Sequence, residues 1–206
     1  MIDDERLLKL LKGTTTVGMA FDDFVVLAAD RRATSGFFIS HKHARKIHPI
    51  DDHVVATISG YVGDAQKLID ELSAEAKIYR VMNGEPIGIR SLATLASLIL
   101  FENRPLLIAH LLIGGIDREG GSLYSIDWLG TVTEERYTAS GSGTSFAISI
   151  IESEYRRDMG EEEAVKLAVK AVRAAMMRDP GSGEGVDVAL VSRKGVRLLR
   201  GEEVLG

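Results

Sequence analysis

Hydrophobic periodicity changes repeatedly along this 206-residue chain, and the order of the changes restricts the fold more than any single motif. Runs typical of β-strands fill residues 15–59, 106–139 and 186–199. Pairs of amphipathic helical repeats separate these runs, at 65–103 and 145–178. Hairpin-like connections favour antiparallel sheets over a doubly wound parallel sheet. The order therefore predicts an α+β fold, a four-layer αββα sandwich with two antiparallel sheets between two helical layers.

The element boundaries follow from the same periodicity and from turn residues such as Asn83-Gly84 and Arg104-Pro105. The stretch after Leu129-Gly130 is expected to form one continuous strand. The expected strands are 15–20, 24–29, 37–49, 54–59, 106–114, 122–127, 131–139, 186–191 and 196–199, and the expected helices are 65–82, 89–103, 145–159 and 162–178.

Composition excludes several classes of function. The chain has no cysteine, which rules out disulfide scaffolds, thiol catalysis and cysteine-bound zinc, and which fits a reducing compartment. Its net charge is −5 with scattered basic residues, so a nucleic-acid partner is not favoured. The longest apolar run, Leu106 to Ile113, is too short to cross a membrane. We expect a soluble cytoplasmic protein without nucleic-acid or membrane partners.

A short leader, Met1 to Gly13, precedes three consecutive threonines beginning at Thr14. The leader places acidic residues before leucines, which is the wrong charge order for a secretory signal. A threonine run by itself ordinarily marks the start of a β-strand. If the bond between Gly13 and Thr14 were cut, however, Thr14 would carry a hydroxyl nucleophile and a free amine base in one residue.

Six short segments, the first of which contains Thr14, form an ordered set of motifs along the chain. They are Gly13-Thr14-Thr15-Thr16-Val17-Gly18, Ala29-Asp30-Arg31-Arg32-Ala33-Thr34, Lys46, Ile58-Ser59-Gly60-Tyr61-Val62-Gly63-Asp64-Ala65, Gly141-Ser142-Gly143 and Asp179-Pro180-Gly181-Ser182-Gly183. In this order and spacing the chain resembles the catalytic β-subunits of the proteasome over nearly its whole length, and it is most similar to the archaeal members. The resemblance implies an N-terminal-nucleophile (Ntn) hydrolase fold, with residues 1–13 as a propeptide removed by self-cleavage before Thr14 and 14–206 as one domain.

The same resemblance assigns the central chemistry to Thr14, Asp30 and Lys46. Thr14 Oγ would be the nucleophile of a threonine endopeptidase, and its freed amine would take the hydroxyl proton and return it to the leaving amine. Lys46 would favour alkoxide character on Thr14 Oγ, and Asp30 would pair with Lys46. The ordinary alternative is that Asp30 and Lys46 are solvated charges at strand ends.

Four more positions match the family's supporting residues. Gly60 would supply a backbone N–H to an oxyanion hole. Ser142, Asp179 and Ser182 would orient the terminal amine and its water, and Arg32 is expected to brace Asp179.

The glycine-rich segments leave two points open. A phosphate-binding role for Gly141-Ser142-Gly143 is the rival hypothesis, although the chain lacks a GxxxxGK[ST] motif. Glu184 stands where the family often has a glycine, which leaves the geometry of the loop around Ser182 open.

The resemblance also supplies a substrate pocket. Its lining would be mostly apolar and would contain no carboxylate, which predicts cleavage after hydrophobic residues. The pocket positions are Ala33, Ala44, His48, Ile58 and Val62. Thr34 would bind the extended peptide through its backbone, as an added strand does.

The implied partners are proteasome α-subunits, other β-subunits in seven-membered rings, a regulatory unfoldase ATPase acting indirectly, and unfolded polypeptides. No cofactor or metal is expected, because His41 and His43 have no suitably spaced third ligand. Three alternatives remain: a bacterial-type ring protease partnered with an unfoldase, an inactive structural ring subunit, and a small-amide hydrolase of the same superfamily.

Overall fold

The computed structural model describes residues 13–36, 38–60, 62–103 and 108–204, and the side chains of 62–65 lie outside the description. The leader before Gly13 is also outside the described residues. None of the helices within these ranges has the length and apolar character that crossing a lipid bilayer requires.

One five-stranded sheet is antiparallel throughout, in the order β10-β1-β2-β11-β12. Its central strand, β2, is fully buried because both faces pack against apolar layers. The strands are β1 Thr15–Ala20, β2 Phe24–Asp30, β10 Tyr137–Gly141, β11 Val186–Ser192 and β12 Gly195–Arg200.

A second antiparallel sheet has the order β5-β6-β7-β8-β9, and a small separate hairpin joins β3 to β4. The hairpin strands are β3 Ala33–Ser35 and β4 Phe38–His41. The sheet strands are β5 Ile47–Asp51, β6 Val54–Gly60, β7 Ala109–Asp117, β8 Gly120–Ile126 and β9 Val132–Glu135.

The described helices are α1 Val62–Asn83, α2 Ile89–Glu102, α3 Thr144–Glu154, α4 Glu161–Met176 and the short α5 Gly201–Val204. Buried apolar residues form one cluster between α1–α2 and the second sheet, another between α3–α4 and the first sheet, and a third between the sheets. The predicted α+β fold with a four-layer αββα arrangement is therefore confirmed.

The predicted continuous strand at 131–139 is wrong. Strand β9 pairs with the second sheet, whereas β10 pairs with the first. The chain changes sheets at Arg136, whose carbonyl accepts a 2.7 Å hydrogen bond from Ala20 N–H. Glu134, Glu135 and Arg136 interrupt the alternation, but no glycine or proline marks a turn there, so the sequence pattern alone could not reveal that the two halves belong to different sheets.

The third helix is also shorter than the predicted 145–159, because it ends at Glu154. Tyr155 follows with extended backbone angles. Its ring packs against Phe21 and Tyr137, and its hydroxyl donates to Ala20 O at 3.0 Å. These tertiary contacts draw the chain toward the end of β1.

Strand registers bring several predicted residues to one end of the sandwich. Thr15 lies opposite Gly141, and Asp30 lies opposite Val186 in the first sheet. Lys46 directly precedes β5 and hydrogen-bonds to Asp30, so the corresponding end of the second sheet lies beside them. This shared end carries the candidate site.

Candidate active site

Thr14 lies just before β1 and is only 4% exposed. Its Oγ1 donates to the Gly13 carbonyl oxygen at 2.7 Å, and Gly13 N–H donates to Thr34 Oγ1 at 2.8 Å. Backbone packing leaves no room for a side chain before Thr14, since a Cβ on Gly13 would lie 2.0 Å from Gly181 Cα. The uncut Gly13–Thr14 segment is thus held in a defined position with its hydroxyl next to the preceding carbonyl.

Asp30 and Lys46 form a buried ion pair beside this segment. Their side chains are 0% and 3% exposed, and Lys46 Nζ donates to Asp30 Oδ1 at 2.6 Å. Asp30 also accepts hydrogen bonds from the backbone N–H groups of Thr15, Arg32 and Gly183, each at 2.9 Å. The carboxylate therefore joins Lys46 to the strand that carries Thr14.

Burial is the main influence on the Lys46 ammonium group. It lowers the pKa of Lys46 below the ordinary lysine value, because a charged amine is poorly solvated inside the protein. The neighbouring Asp30 carboxylate opposes this effect. The alternative that Asp30 and Lys46 are solvated surface charges is wrong.

Ser142, Asp179 and Ser182 form a second hydrogen-bonded group. Ser142 Oγ accepts from Thr14 N–H at 3.1 Å, and it donates to Asp179 Oδ2 at 2.6 Å. Ser182 Oγ donates to the same carboxylate oxygen at 2.6 Å and lies 2.7 Å from Thr15 Oγ1. The structure thus places the Ser142 hydroxyl on the backbone nitrogen that cleavage would turn into an amine, and the Asp179 carboxylate links Ser142 to Ser182.

Gly60 ends β6 in a conformation that requires glycine. Its φ is +114°, and a Cβ there would lie 2.5 Å from Ile108 O. A residue with a side chain would clash with the neighbouring strand. This conformation suits a site where the backbone must approach another group closely.

The predicted pocket residues occupy several elements. Ala33 and Thr34 are buried in β3, and Ala44 N–H donates to Arg31 O at 2.9 Å. Ile58 packs in the apolar cluster beneath α1 and α2, and His48 is buried on β5. Burial also lowers the pKa of His48, which favours its neutral form. Val62 begins α1, and its side chain lies outside the description.

The expectation that Arg32 braces Asp179 is wrong. Arg32 Nη1 donates to Pro180 O at 2.8 Å, and Arg32 Nη2 pairs with Glu184 at 3.1 Å. The sequence correctly predicts that Arg32 lies beside the loop that follows Asp179. It could not show that the guanidinium group would bind Glu184 and the Pro180 carbonyl instead of Asp179. Glu184 adopts a φ of +68°, which is unfavourable for a residue with a side chain.

Comparison with known proteins gives the family of the chain. A family profile described as "Proteasome subunit" matches residues 10–191. The chain is 52% identical to proteasome subunit beta 2 of Pyrobaculum islandicum over 188 residues, covering 90% of this chain and 94% of that protein. It is 44% identical to proteasome subunit beta 1 of Korarchaeum cryptofilum, covering 95% of each.

The chain belongs to the proteasome β-subunit family. Membership implies assembly with α-subunits and other β-subunits in the proteasome core particle. The antiparallel sheets and outer helices described above agree with the Ntn-hydrolase fold of this family. The resemblance seen in the sequence is therefore confirmed at the level of family and fold.

Two residues of this proteasome subunit were not predicted as part of the site. The sequence predicts Thr15 only as a strand residue, yet its N–H donates to Asp30 and its hydroxyl contacts Ser182. Gly181 packs its backbone against Gly13. Strand alternation could have indicated that Thr15 points to the face opposite Thr14, whereas the contact of Gly181 needs the fold.

Within the described ranges, no group of three or more histidine, aspartate or glutamate side chains is arranged to hold a metal ion. The ionisable groups of the site instead contact one another and the backbone. The arrangement can support a hydroxyl nucleophile, a proton acceptor on nitrogen, and a nearby positive charge.

Proposed function

We propose that this subunit is the threonine endopeptidase of a proteasome core particle, and that it degrades unfolded proteins to peptides. The observation that carries the proposal is the pair of hydrogen-bonded groups around Thr14. One group, Ser142 with Asp179, contacts the Thr14 nitrogen, and the other, Lys46 with Asp30, contacts the next residue. These are the groups that a threonine nucleophile acting with its own amine would need.

Maturation would begin at the Gly13–Thr14 bond, which makes residues 1–13 a propeptide. Thr14 Oγ would attack the Gly13 carbonyl carbon, so that an Oγ–C bond forms and the C–N bond breaks while nitrogen takes the proton. This acyl shift already frees the Thr14 amine, and water would then hydrolyse the ester, which frees the Thr14 hydroxyl and releases the leader with a carboxylate on Gly13. The 2.7 Å contact from Thr14 Oγ1 to Gly13 O supports this step by placing the two groups together.

Peptide cleavage would use the same oxygen: Thr14 Oγ would bond to the substrate carbonyl carbon, the peptide C–N bond would break, and water would hydrolyse the resulting acyl-enzyme. The free Thr14 amine would accept the Oγ proton and later transfer it to the leaving amine, while Ser142 and Asp179 keep the amine oriented. Lys46 would stabilise negative charge on Oγ, and the Gly60 N–H would stabilise the oxyanion of the tetrahedral intermediate. Ser182 would support Asp179 and the water near the amine.

Substrate preference would follow from the lining around the site. Ala33, Ile58 and the neutral form of His48 offer an apolar environment, and Ala44 and Val62 would complete it. We propose preferential cleavage after hydrophobic residues, with the peptide bound along Thr34 as an added strand. A panel of peptides in which basic residues were preferred over leucine, phenylalanine and tyrosine would contradict this preference.

The finer details of assembly are also proposed from family membership. They are seven-membered β-rings stacked with α-subunit rings, a chamber that admits only unfolded chains, and an unfoldase ATPase that supplies them. A cytoplasmic location stays a prediction.

The decisive experiment compares the wild-type subunit with Thr14→Ala and Thr14→Ser, each co-expressed with the α-subunit. We expect mass spectrometry to show loss of residues 1–13 in the wild type, an intact leader in Thr14→Ala, and removal in Thr14→Ser. Only the two hydroxyl-bearing particles should cleave peptides and casein.

The outcomes separate the alternatives. Peptidase activity in an assembled particle that keeps the Gly13–Thr14 bond would overturn the mechanism. An assembled wild-type particle without any peptidase activity would indicate an inactive structural subunit, and turnover of small amides without casein would indicate the small-amide hydrolase.

A further inference from the structure

Two serine hydroxyls meet in the space between the sheets. Ser59 Oγ of β6 and Ser140 Oγ of β10 lie 2.8 Å apart, and the residues are 5% and 3% exposed. Apolar side chains such as Leu27, Val55 and Leu112 fill much of this space, which also contains the buried threonines Thr16 and Thr57. Replacing a buried hydrogen-bonded pair with apolar groups of the same shape can be nearly neutral for stability. Packing alone therefore does not explain a hydroxyl pair at this point.

The sequence positions of the two serines connect them to the site. Ser59 directly precedes Gly60, and Ser140 directly precedes Gly141. Gly141 packs so closely on the nucleophile segment that a Cβ there would lie 2.1 Å from Thr14 O. Gly143 N–H also donates to Thr14 O at 3.3 Å. The hydroxyl pair thus joins the strand that ends at Gly60 to the strand end that holds Thr14.

Both strands turn directly after the serines. Gly60 has φ +114° and Gly141 has φ +95°, conformations that favour glycine. Regular strand geometry ends there, so the residues beyond need other contacts to keep their spacing. Ser59 and Ser140 provide a direct contact between the sheets at the next-to-last residue of β6 and of β10.

We propose that the Ser59–Ser140 hydrogen bond is a positioning contact that fixes the Gly60 backbone relative to Thr14 Oγ. This inference rests on the proposed function, in which Gly60 N–H stabilises the oxyanion. Ser59 and Ser140 act through their glycine neighbours and do not touch the substrate. Because oxyanion stabilisation requires donors at a defined distance, a small displacement of Gly60 reduces turnover more than substrate binding.

The test is a double-mutant cycle in particles assembled with the α-subunit, using Ser59→Ala, Ser140→Ala and the double variant. Ser125→Ala is the matched control. Ser125 Oγ makes a 2.8 Å hydrogen bond to His110, and this bond joins two strands of the second sheet rather than the two sheets. Peptide kcat, KM and the melting temperature are measured for each particle.

We expect both single variants and the double variant to lose about tenfold in kcat, with KM within about twofold of wild type. The double variant should lose no more than either single variant, because all three variants remove the same Ser59–Ser140 hydrogen bond. The control should keep the wild-type kcat, even where its melting temperature falls as much as theirs.

Two results would overturn the proposal: a kcat within about twofold of wild type in the folded serine variants, or independent losses that multiply in the double variant. If a single variant does not assemble, the double variant, which leaves no hydroxyl unpaired, is compared with Ser125→Ala. Failure of the double variant to assemble would also overturn the proposal, since the pair would then hold the fold rather than the site.

The wild-type particle separates this proposal from the proposed function. If its turnover does not depend on Thr14, the proposed function fails. If turnover depends on Thr14 but the serine variants match the control, only the positioning role fails.

Discussion

Two ion pairs lie near the candidate nucleophile, and they differ in burial. The inner pair, Asp30 with Lys46, has side chains that are 0% and 3% exposed. The outer pair, Arg32 with Glu184, has side chains that are each 22% exposed. A buried charge is tolerated only when hydrogen bonds replace water, whereas a partly exposed charge can still be solvated.

The hydrogen bonds follow this difference. Asp30 receives N–H groups from separate parts of the chain, so it fixes those parts relative to Lys46. Glu184 instead adopts an unfavourable backbone conformation and contacts one guanidinium group. In the proposed mechanism the inner pair would determine the geometry of the chemistry, whereas the outer pair contacts the loop around Ser182.

Replacing Lys46 with methionine tests the inner pair most strongly. The side chain keeps its approximate length but loses its charge, so alkoxide character on Thr14 Oγ is no longer stabilised. We expect kcat/KM to fall about a thousandfold. The free energy of unfolding should fall by about 2 kcal/mol, because Asp30 loses the hydrogen bond from Lys46 Nζ, which a neutral lysine can still donate, but keeps three backbone donors.

Lys194→Met is the matched control for this variant. Lys194 is an exposed lysine in the turn between β11 and β12, so its loss should leave both quantities at the wild-type level. Peptidase assays and thermal unfolding of the assembled particles give the measurements. A Lys46→Met particle with wild-type activity would remove the functional distinction between the two pairs.

The pH profile is the next sharpest test, because burial lowers the pKa of Lys46. As pH rises through this lowered pKa, the ammonium group loses its charge and the nucleophile loses its support. We therefore expect activity to decline on the alkaline side beginning below about pH 10.4, the ordinary lysine value. Activity that rises through this range would indicate that neutral Lys46 acts as a base.

Stability should respond in the opposite direction. Above the lowered pKa, the folded protein releases the Lys46 proton while the unfolded chain still holds it. The Lys46 contribution to the free energy of unfolding therefore rises with pH up to about 10.4. Circular dichroism across the same pH range shows whether the particle stays folded. It therefore distinguishes the expected decline in activity from unfolding.

The sequence predicted the layers and much of the candidate site because those features depend on local patterns. Periodicity located the helices, and the threonine run with Asp30, Lys46 and Ser142 carried the resemblance. The crossing at Arg136 and the contact between Arg32 and Glu184 depend on which distant segments meet. Tertiary packing determines which distant segments meet, and a local sequence pattern does not encode it.

Replacing Arg32 with alanine tests the outer pair with a smaller expected effect. The guanidinium group holds the Pro180 carbonyl and Glu184, but Asp179 and Ser182 keep their own hydrogen bonds. We expect kcat/KM to fall less than tenfold and stability to fall by about 1 kcal/mol. An activity loss equal to that of Lys46→Met would place Arg32 in the same functional class as the inner pair.

The smallest effect concerns Glu184, where two variants separate charge from backbone strain. Glu184→Ala removes the ion pair but keeps a Cβ at φ +68°, so it should lower stability by about 0.5–1 kcal/mol. Glu184→Gly removes the ion pair and the strain, and it should be more stable than the alanine variant by about 1 kcal/mol. Its stability should therefore lie close to wild type, with little change in peptidase activity. If the alanine and glycine variants were equally stable in thermal unfolding, the positive φ of Glu184 would have no measurable cost in stability. Backbone strain would then not distinguish the outer pair from the inner pair.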